Sequence, residues 1–340
     1  MHDDAHRPSP DDAVRVSAPG RLHLGFLDPS ATLGRRFGSL GLVVAGFGTV
    51  VELARDTADH LEAVPACAEE LARADEHLRT LRRHTGIREP LRLRLRETLP
   101  PHAGLGSGTQ LALAVGRAFA TLFDRPLPTP QLAAILGRGA RSGVGIAGFD
   151  QGGLLVDGGP RADGGAAPVL ARVTLPAAWR VVLVLDPRLR GLSGAQERAA
   201  IATLPPLARA DAADICHEVL MRVLPGAAGD EFDAFADGLS AVQRVLGRHY
   251  APAQDGRAFT SPAVARAIEW IAAHARAGTG QSSWGPTGFA VLASADEARR
   301  VVADALGAGA IDPALRLVVA APRNHGARVE TFATAACHAA

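Results

Sequence analysis

Lysine is missing from this chain, so all 36 of its basic residues are arginine. That absence excludes a Schiff-base lysine, a lysine general base and the lysine of a Walker-type phosphate loop. A GC-rich coding bias accounts for it and fits the many glycines. Aromatics are also scarce, at 4% of 340 residues, and the net charge is only +1. Neither a field nor stacking side chains are there to attract nucleic acid or an anionic membrane. The three cysteines, Cys67, Cys216 and Cys337, are isolated and odd in number. This fits free thiols in a reducing cytosol better than a disulfide framework or a metal site. No apolar run is long enough to span a bilayer, and the polar, acidic start MHDDAHRPSPDD is no secretory signal. The expectation is a soluble, cytoplasmic protein.

The remaining composition, 47% apolar and 21% charged, is globular, and the length suits two domains. Residues 1–12 read as a disordered lead-in. Strand-like alternation begins at Val14–Val16 and continues through Leu22, Leu24 and Phe26, with further strands at 42–45 and 49–53. A charged helix follows over 66–84. Leu91, Leu93 and Leu95 alternate with Arg92, Arg94 and Arg96, a half-buried strand with one solvated arginine face. The segment RSGVGIAGFDQGG (141–153) reads as a loop entering a short strand at 154–156. The second half opens on a buried strand, 181–185. A helix follows over 230–250, with Phe232, Phe235, Leu239, Val242 and Leu246 on one face. Strand 289–292, helix 295–306 and strand 315–320 complete a β-α-α-β-α-β order, the pattern of a ferredoxin-like domain.

Chemistry concentrates in PPHAGLGSGT (100–109), between a strand and a helix. Glycines there allow positive φ and close approach of backbone to an anion. The first N–H groups of the helix add donors and positive potential, so Gly104, Leu105, Gly106, Ser107, Gly108 and Thr109 form a candidate phosphate site. Ser107 and Thr109 offer hydroxyls that serve a phosphate or cap the helix; a plain glycine turn reads the same locally. Asp28 is a candidate site carboxylate or a turn residue with Pro29 and Ser30. His23 alternates with Leu22 and Leu24 and is either a site group or a satisfied core histidine. Asp186, after the strand at 181–185, is a further carboxylate.

The order of these segments resembles the GHMP superfamily of galactokinase, homoserine kinase and mevalonate kinase. Pro19-Gly20-Arg21 corresponds to its first motif, Pro101 to Gly108 to its second, phosphate-binding motif, and Gly278 to Gly288 to its third. The resemblance implies an α+β fold: a ribosomal S5-like domain over 13–172 with the phosphate loop, then a ferredoxin-like domain over 173–335. Two departures argue against an ATP-dependent kinase. The third motif carries Trp284 and Pro286, and the middle segment lacks the S-G-x-x-D arrangement of a kinase's catalytic aspartate, with Asp150 displaced.

Within the superfamily, RLHLGFLD (21–28), Gly34-Arg35, GLGSGTQLAL, RSGVGIAGF and GQSSWGPTGF resemble the β-ribofuranosylaminobenzene 5′-phosphate synthase family. Such enzymes condense 4-aminobenzoate with phosphoribosyl pyrophosphate, releasing CO2 and pyrophosphate, toward methanopterin-type carriers. The resemblance implies catalytic Asp28 and Arg35, with Arg35 holding the benzoate carboxylate; read alone, Arg35 is equally a solvated surface charge. Arg21, His23, Ser142, Gly143, Gln281, Ser282, Ser283 and Trp284 become substrate-binding candidates. It also implies Mg2+ as counterion of pyrophosphate with no organic cofactor, small-molecule partners, no nucleic acid or membrane, and a homodimer. A GHMP small-molecule kinase and a catalytically silent GHMP-fold binding protein remain the competing readings.

Overall fold

The computed structural model describes residues 12–192 and 194–333, so all but the last residue of the lead-in expected over 1–12, and Cys337, lie outside the described residues. Two sheets organise the fold. The first has seven strands: β1 (Asp12–Asp28), β2 (Phe37–Arg55), β3 (His60–Ala63), β4 (Leu91–Glu97), β5 (Leu154–Asp157), β6 (Val169–Val173) and, from the far end of the chain, β11 (Arg328–Ala333). The second is an antiparallel sheet of β7 (Arg180–Leu185), β8 (Gly278–Gln281), β9 (Thr287–Leu292) and β10 (Arg316–Ala320), in the order β10-β7-β9-β8.

The α+β expectation holds, and period-2 alternation explains the packing. Along β7, Val181, Leu183 and Leu185 enter a core shared with Leu22, Leu24, Leu40 and Leu42 of the first sheet. Val182 and Val184 face a separate core with helices Pro262–His274 and Ala295–Gly307. Helix Phe232–Tyr250 buries Phe235, Leu239, Val242 and Leu246 in the shared core. A third core joins the first sheet to helices Ala68–Thr85, Ser107–Leu122 and Thr129–Ile135.

Four expectations change. Asp12 already belongs to β1, and the strands expected at 42–45 and 49–53 are one strand, β2, whose register shifts opposite Pro19/Gly20. Pairing with β1 on both sides of Gly46 carries the strand through the glycines. The loop expected over 141–153 contains helix Val144–Gln151. Its glycines are there for closeness: a Cβ on Gly145 would stand 3.3 Å from the Thr109 side chain, and one on Gly148 would stand 2.8 Å from Val43. Packing overrides the low helix propensity of glycine. Strand β8 lies inside the third-motif stretch, Gly278 to Gly288, and adds an edge to the second sheet that the β-α-α-β-α-β order lacks. Finally, the second sheet ends at Ala320; β11 crosses back and pairs antiparallel with β1, from Asp12↔Ala333 to Ser17↔Arg328.

Candidate active site

The site lies where β1, the glycine-rich loop and the turn between β8 and β9 meet. Gly104 and Gly106 both take φ +82°, and helix Ser107–Leu122 starts from Gly106 with no side-chain cap. Neither Ser107 nor Thr109 closes the helix start, contrary to the capping alternative. The leading N–H groups of a helix have no acceptor within it, and Gly106 through Thr109 are partly solvent-accessible. Leu105 differs from its neighbours: its side chain is buried in the shared core and its carbonyl accepts the N–H of Arg21 (3.1 Å). Backbone, not side chain, is what it offers.

The third motif buttresses this loop. Ser282 Oγ donates to the carbonyl of Gly104 (2.7 Å) and accepts the N–H of His23 (3.0 Å), while the Ser283 N–H donates to the His23 carbonyl (3.0 Å). A Cβ on Gly104 would stand 2.4 Å from the Ser282 carbonyl oxygen, so only glycine permits this approach. Gln281 is tied to the amides of Thr260 and Gln254. Ser282 and Gln281 thus hold walls in place.

Behind the turn a cavity of about 380 Å³ opens among helices Phe232–Tyr250 and Pro262–His274, β8 and β1. His23, Phe26, Tyr250, Ser283 and Trp284 line it. The rings of Tyr250 and Trp284 pack 4.7 Å apart, as do those of His23 and Phe26. The register of β1 and β2 shifts between His23 and Gly25, an irregularity of the kind that re-aims a side chain.

Electrostatics sets this region apart. Five of the buried polar atoms that lack a hydrogen-bond partner among the described residues lie here, on four residues: Arg21 Nε, both ring nitrogens of His23, Arg141 Nη1 and Tyr250 Oη. Leaving a buried donor or acceptor unsatisfied costs about 1–3 kcal/mol each, so a cluster of them marks a place built for a polar ligand. Burial brings the Arg21 guanidinium down to about 10, against an opposing pull from Glu197. Burial, then Arg21 and Arg141, keep His23 well below the usual histidine range, so its ring is neutral. Burial likewise pushes the Tyr250 hydroxyl up. Glu197 accepts one Arg141 nitrogen at 2.5 Å, leaving the other free.

On the outer side of the loop stand two more cations. A Cβ on Gly108 would be 2.7 Å from Arg73 Nη2 and 3.5 Å from Arg138 Nη1. Arg73 pairs with the buried Glu70 (2.7 Å), whereas Arg138 contacts the ring of His77 (3.4 Å) and keeps Nε unpartnered. Burial, with Arg138 and Arg73 adding to it, lowers His77 to about 4, so it competes for no anion.

Other candidates fall elsewhere. Asp28 is 3% exposed and accepts the N–H groups of Ser30 (3.1 Å) and Leu33 (2.7 Å) and the Thr32 hydroxyl (3.3 Å). Both of its oxygens serve its own turn, the turn-residue alternative. Arg35, on that turn, is exposed and donates to the Gly159 carbonyl at 3.3 Å; it does not line the cavity. The N–H of Gly143 (2.7 Å) and the hydroxyl of Ser142 (3.4 Å) donate to Asp157, a buried carboxylate that also accepts from Val144 N–H and Gly159 N–H. These two residues hold the start of helix Val144–Gln151. Asp150 is exposed at the other end of that helix and accepts from Thr129 Oγ1 at 2.5 Å. The S-G-x-x-D spacing puts Ile146, 6% exposed, where a kinase needs its carboxylate. Asp186 is bound to Arg188 (2.8 Å) and Ser261 (2.7 Å), away from the loop.

Arg73, Arg138, Arg141, Glu197, Tyr250 and Asp157 escaped sequence reasoning. Two carried a signal: Arg141 directly precedes Ser142-Gly143, and Tyr250 is the chain's single tyrosine.

Comparison with known proteins agrees with this architecture. The GHMP kinases N terminal domain matches residues 71–156, and the GHMP kinases C terminal domain matches residues 234–309. The homoserine kinase of Cytophaga hutchinsonii superposes with a TM-score of 0.68 at 18% identity, over 96% of this chain and 99% of that one. The phosphomevalonate kinase of Streptococcus pneumoniae gives 0.69 at 12% identity, over 92% and 99%. Both likenesses are of fold. In sequence, the beta-ribofuranosylphenol 5′-phosphate synthase of Methanothermobacter thermautotrophicus is 30% identical across 92% of this chain and 97% of its own length. The Archaeoglobus fulgidus protein of that name is 34% identical across 68% and 76%. With a glycine-rich loop ringed by arginines and no carboxylate in the kinase position, the chain belongs to the beta-ribofuranosylphenol 5′-phosphate synthase family of the GHMP kinase superfamily.

Proposed function

We propose that the protein condenses a para-substituted benzoate, 4-hydroxybenzoate or 4-aminobenzoate, with phosphoribosyl pyrophosphate, releasing CO2 and pyrophosphate in methanopterin biosynthesis. The observation that carries this reading is the cluster of unsatisfied buried donors and acceptors beside an uncapped phosphate loop, with Ile146 in the place of a kinase base. Ring carbon C1 bonds to ribose C1′ as the C1′–O bond breaks, its electron pair going to pyrophosphate. The ring–carboxylate bond then breaks, and its electrons restore the aromatic ring.

The loop N–H groups of Gly104 to Gly108, with Ser107 and Thr109, bind the diphosphate between Arg21 on one side and Arg73 and Arg138 on the other. Preorganised cations of this kind stabilise charge as it develops on the leaving group. Mg2+ enters with the diphosphate as part of the donor substrate; no group of three or more His, Cys, Asp or Glu among the described residues would hold it otherwise. Arg141 meets the acceptor's carboxylate, for which a guanidinium fork is suited. Asp28 acts as a positioning residue that holds the turn carrying Arg35. Trp284 and Tyr250 flank the ring. A homodimer belongs to the same reading, with light scattering as its check. So does a cytoplasmic enzyme; no helix among the described residues is long and apolar enough to cross a membrane.

The test is direct. Protein, Mg2+, phosphoribosyl pyrophosphate and carboxyl-labelled 4-hydroxybenzoate or 4-aminobenzoate should release labelled CO2. ATP-dependent phosphorylation of a small alcohol without CO2 release would instead place the protein among the kinases.

A further inference from the structure

We infer that His23 recognises the para substituent of the aromatic acceptor and takes its proton during the reaction, which makes the histidine a specificity-determining and catalytic residue. The inference rests on the acceptor reading above and adds to it the group that reads the ring's second polar end.

His23 is 4% exposed, lines the cavity and has neither ring nitrogen satisfied. A neutral imidazole presents one N–H and one lone pair. Arg21 and Arg141, the cations that add to burial in keeping the ring neutral, offer donors only. The acceptor's two ends divide between these groups by chemistry. Its carboxylate has no proton to give and suits the Arg141 guanidinium. Its para hydroxyl or amino group does have one and suits the histidine's lone pair. The surrounding rings of Phe26, Tyr250 and Trp284 form an apolar slot in which that contact is shielded from water.

Timing explains why a weakly basic histidine is enough. In free acceptor the para proton is held firmly. Once C1 of the ring has bonded to ribose C1′, positive charge spreads to the para heteroatom and its proton becomes strongly acidic. The imidazole lone pair then takes that proton, and the O–H or N–H bonding pair moves into the ring. Loss of CO2 returns an electron pair to the ring, and the para heteroatom takes its proton back from the imidazolium. No net proton is consumed by His23, and no further reactant is needed.

The full chain is tested by calorimetric titration with 4-hydroxybenzoate, 4-aminobenzoate, 4-methoxybenzoate and unsubstituted benzoate, alongside turnover. The wild-type protein should bind the hydroxy and amino acids about tenfold more tightly than the other two, as loss of one hydrogen bond implies. His23→Leu should erase that preference and lower turnover of 4-hydroxybenzoate about 10²-fold, with affinity for phosphoribosyl pyrophosphate within about twofold. His23→Gln accepts a hydrogen bond but cannot take the proton. It should keep the binding preference and still lose turnover, and it covers the case in which His23→Leu does not fold. Equal binding of all four acids by the wild type overturns the inference, as does an unchanged preference in His23→Leu. Full turnover in His23→Gln overturns the proton-transfer half. A wild-type binding preference without CO2 release would sink the reaction while leaving the recognition role standing.

Discussion

Two sets of arginines in this molecule have opposite surroundings. On the outer face of β4, Arg92, Arg94 and Arg96 meet Asp56, Glu62 and Glu52 at 3.6, 2.6 and 2.8 Å, and Arg15 of β1 shares Glu52 at 2.6 Å. Around the glycine-rich loop, Arg21 donates only a long bond to the Gly104 carbonyl (3.4 Å) and keeps Nε unpartnered; Arg138 and Arg141 each keep one nitrogen empty. The side chain is the same; what differs is how far the fold has neutralised it: Arg21 and Arg138 have no carboxylate partner among the described residues, and Arg141 pairs with Glu197 through one nitrogen only. A guanidinium with a carboxylate beside it in water adds little stability and has nothing left to offer a ligand. One buried without a carboxylate is a standing cost to the fold, repaid when an anion arrives.

Breaking that contrast should have its largest effect at Arg21. Arg21→Met is expected to lower kcat/KM on the order of 10²–10³-fold, the loss typical of one preorganised donor to developing charge. Arg21→Lys should recover only part, since an ammonium restores charge but not the planar fork. Steady-state kinetics with each substrate varied in turn measures both. Next comes Gly106→Val, which sets a β-branched side chain at φ +82° and 3.3 Å from Arg21. Distortion of the cradle should lower kcat/KM for phosphoribosyl pyrophosphate on the order of 10²-fold; normal kinetics in a folded variant would make the loop a plain turn. Arg35→Ala, at an exposed residue outside the cavity, should leave both substrates within about twofold; a roughly ten- to a hundredfold loss for the benzoate would bring Arg35 to its carboxylate. A loss confined to the donor would make Arg35 a phosphate ligand.

The other side of the contrast should show in stability. Glu52 is opposed by burial, yet hydrogen bonds from Arg15 and Arg96 hold it below the ordinary glutamate range. A carboxylate depressed in the folded state contributes stability above its unfolded pKa and loses it as pH falls through the folded one. Glu52→Gln should therefore cost about 1 kcal/mol at neutral pH, with the gap to wild type closing in acid, as urea unfolding at a series of pH values will record. Arg94→Ala should be the mildest, within about 0.5 kcal/mol and without effect on turnover.

Local patterns were legible in sequence and long-range meetings were not. The loop at 101–109 is recognisable because glycine spacing and the following apolar helix are neighbours in the chain. Leu91, Leu93 and Leu95 announce β4 through strict alternation, and the structure pairs the arginines between them as a solvated face requires. Helix Val144–Gln151 was missed because its glycines answer to Thr109 and Val43, which no local window contains. Asp28 looked like a site carboxylate until its turn supplied donors for both oxygens. Arg73 reaches Gly108 from helix Ala68–Thr85 and Arg138 from the segment just after helix Thr129–Ile135, and nothing near either residue signals the loop it will face.

The return of β11 to the edge of β1 adds an order in time. Asp12 cannot meet Ala333 until nearly all the chain between them exists. Closing so long a loop slows folding more than it weakens the product. During synthesis, β1 waits with one edge bare, and it carries Arg21 and His23. The binding strand is thus completed only after residue 333 has been made, which makes β11 a step in maturation though it lies outside the site itself.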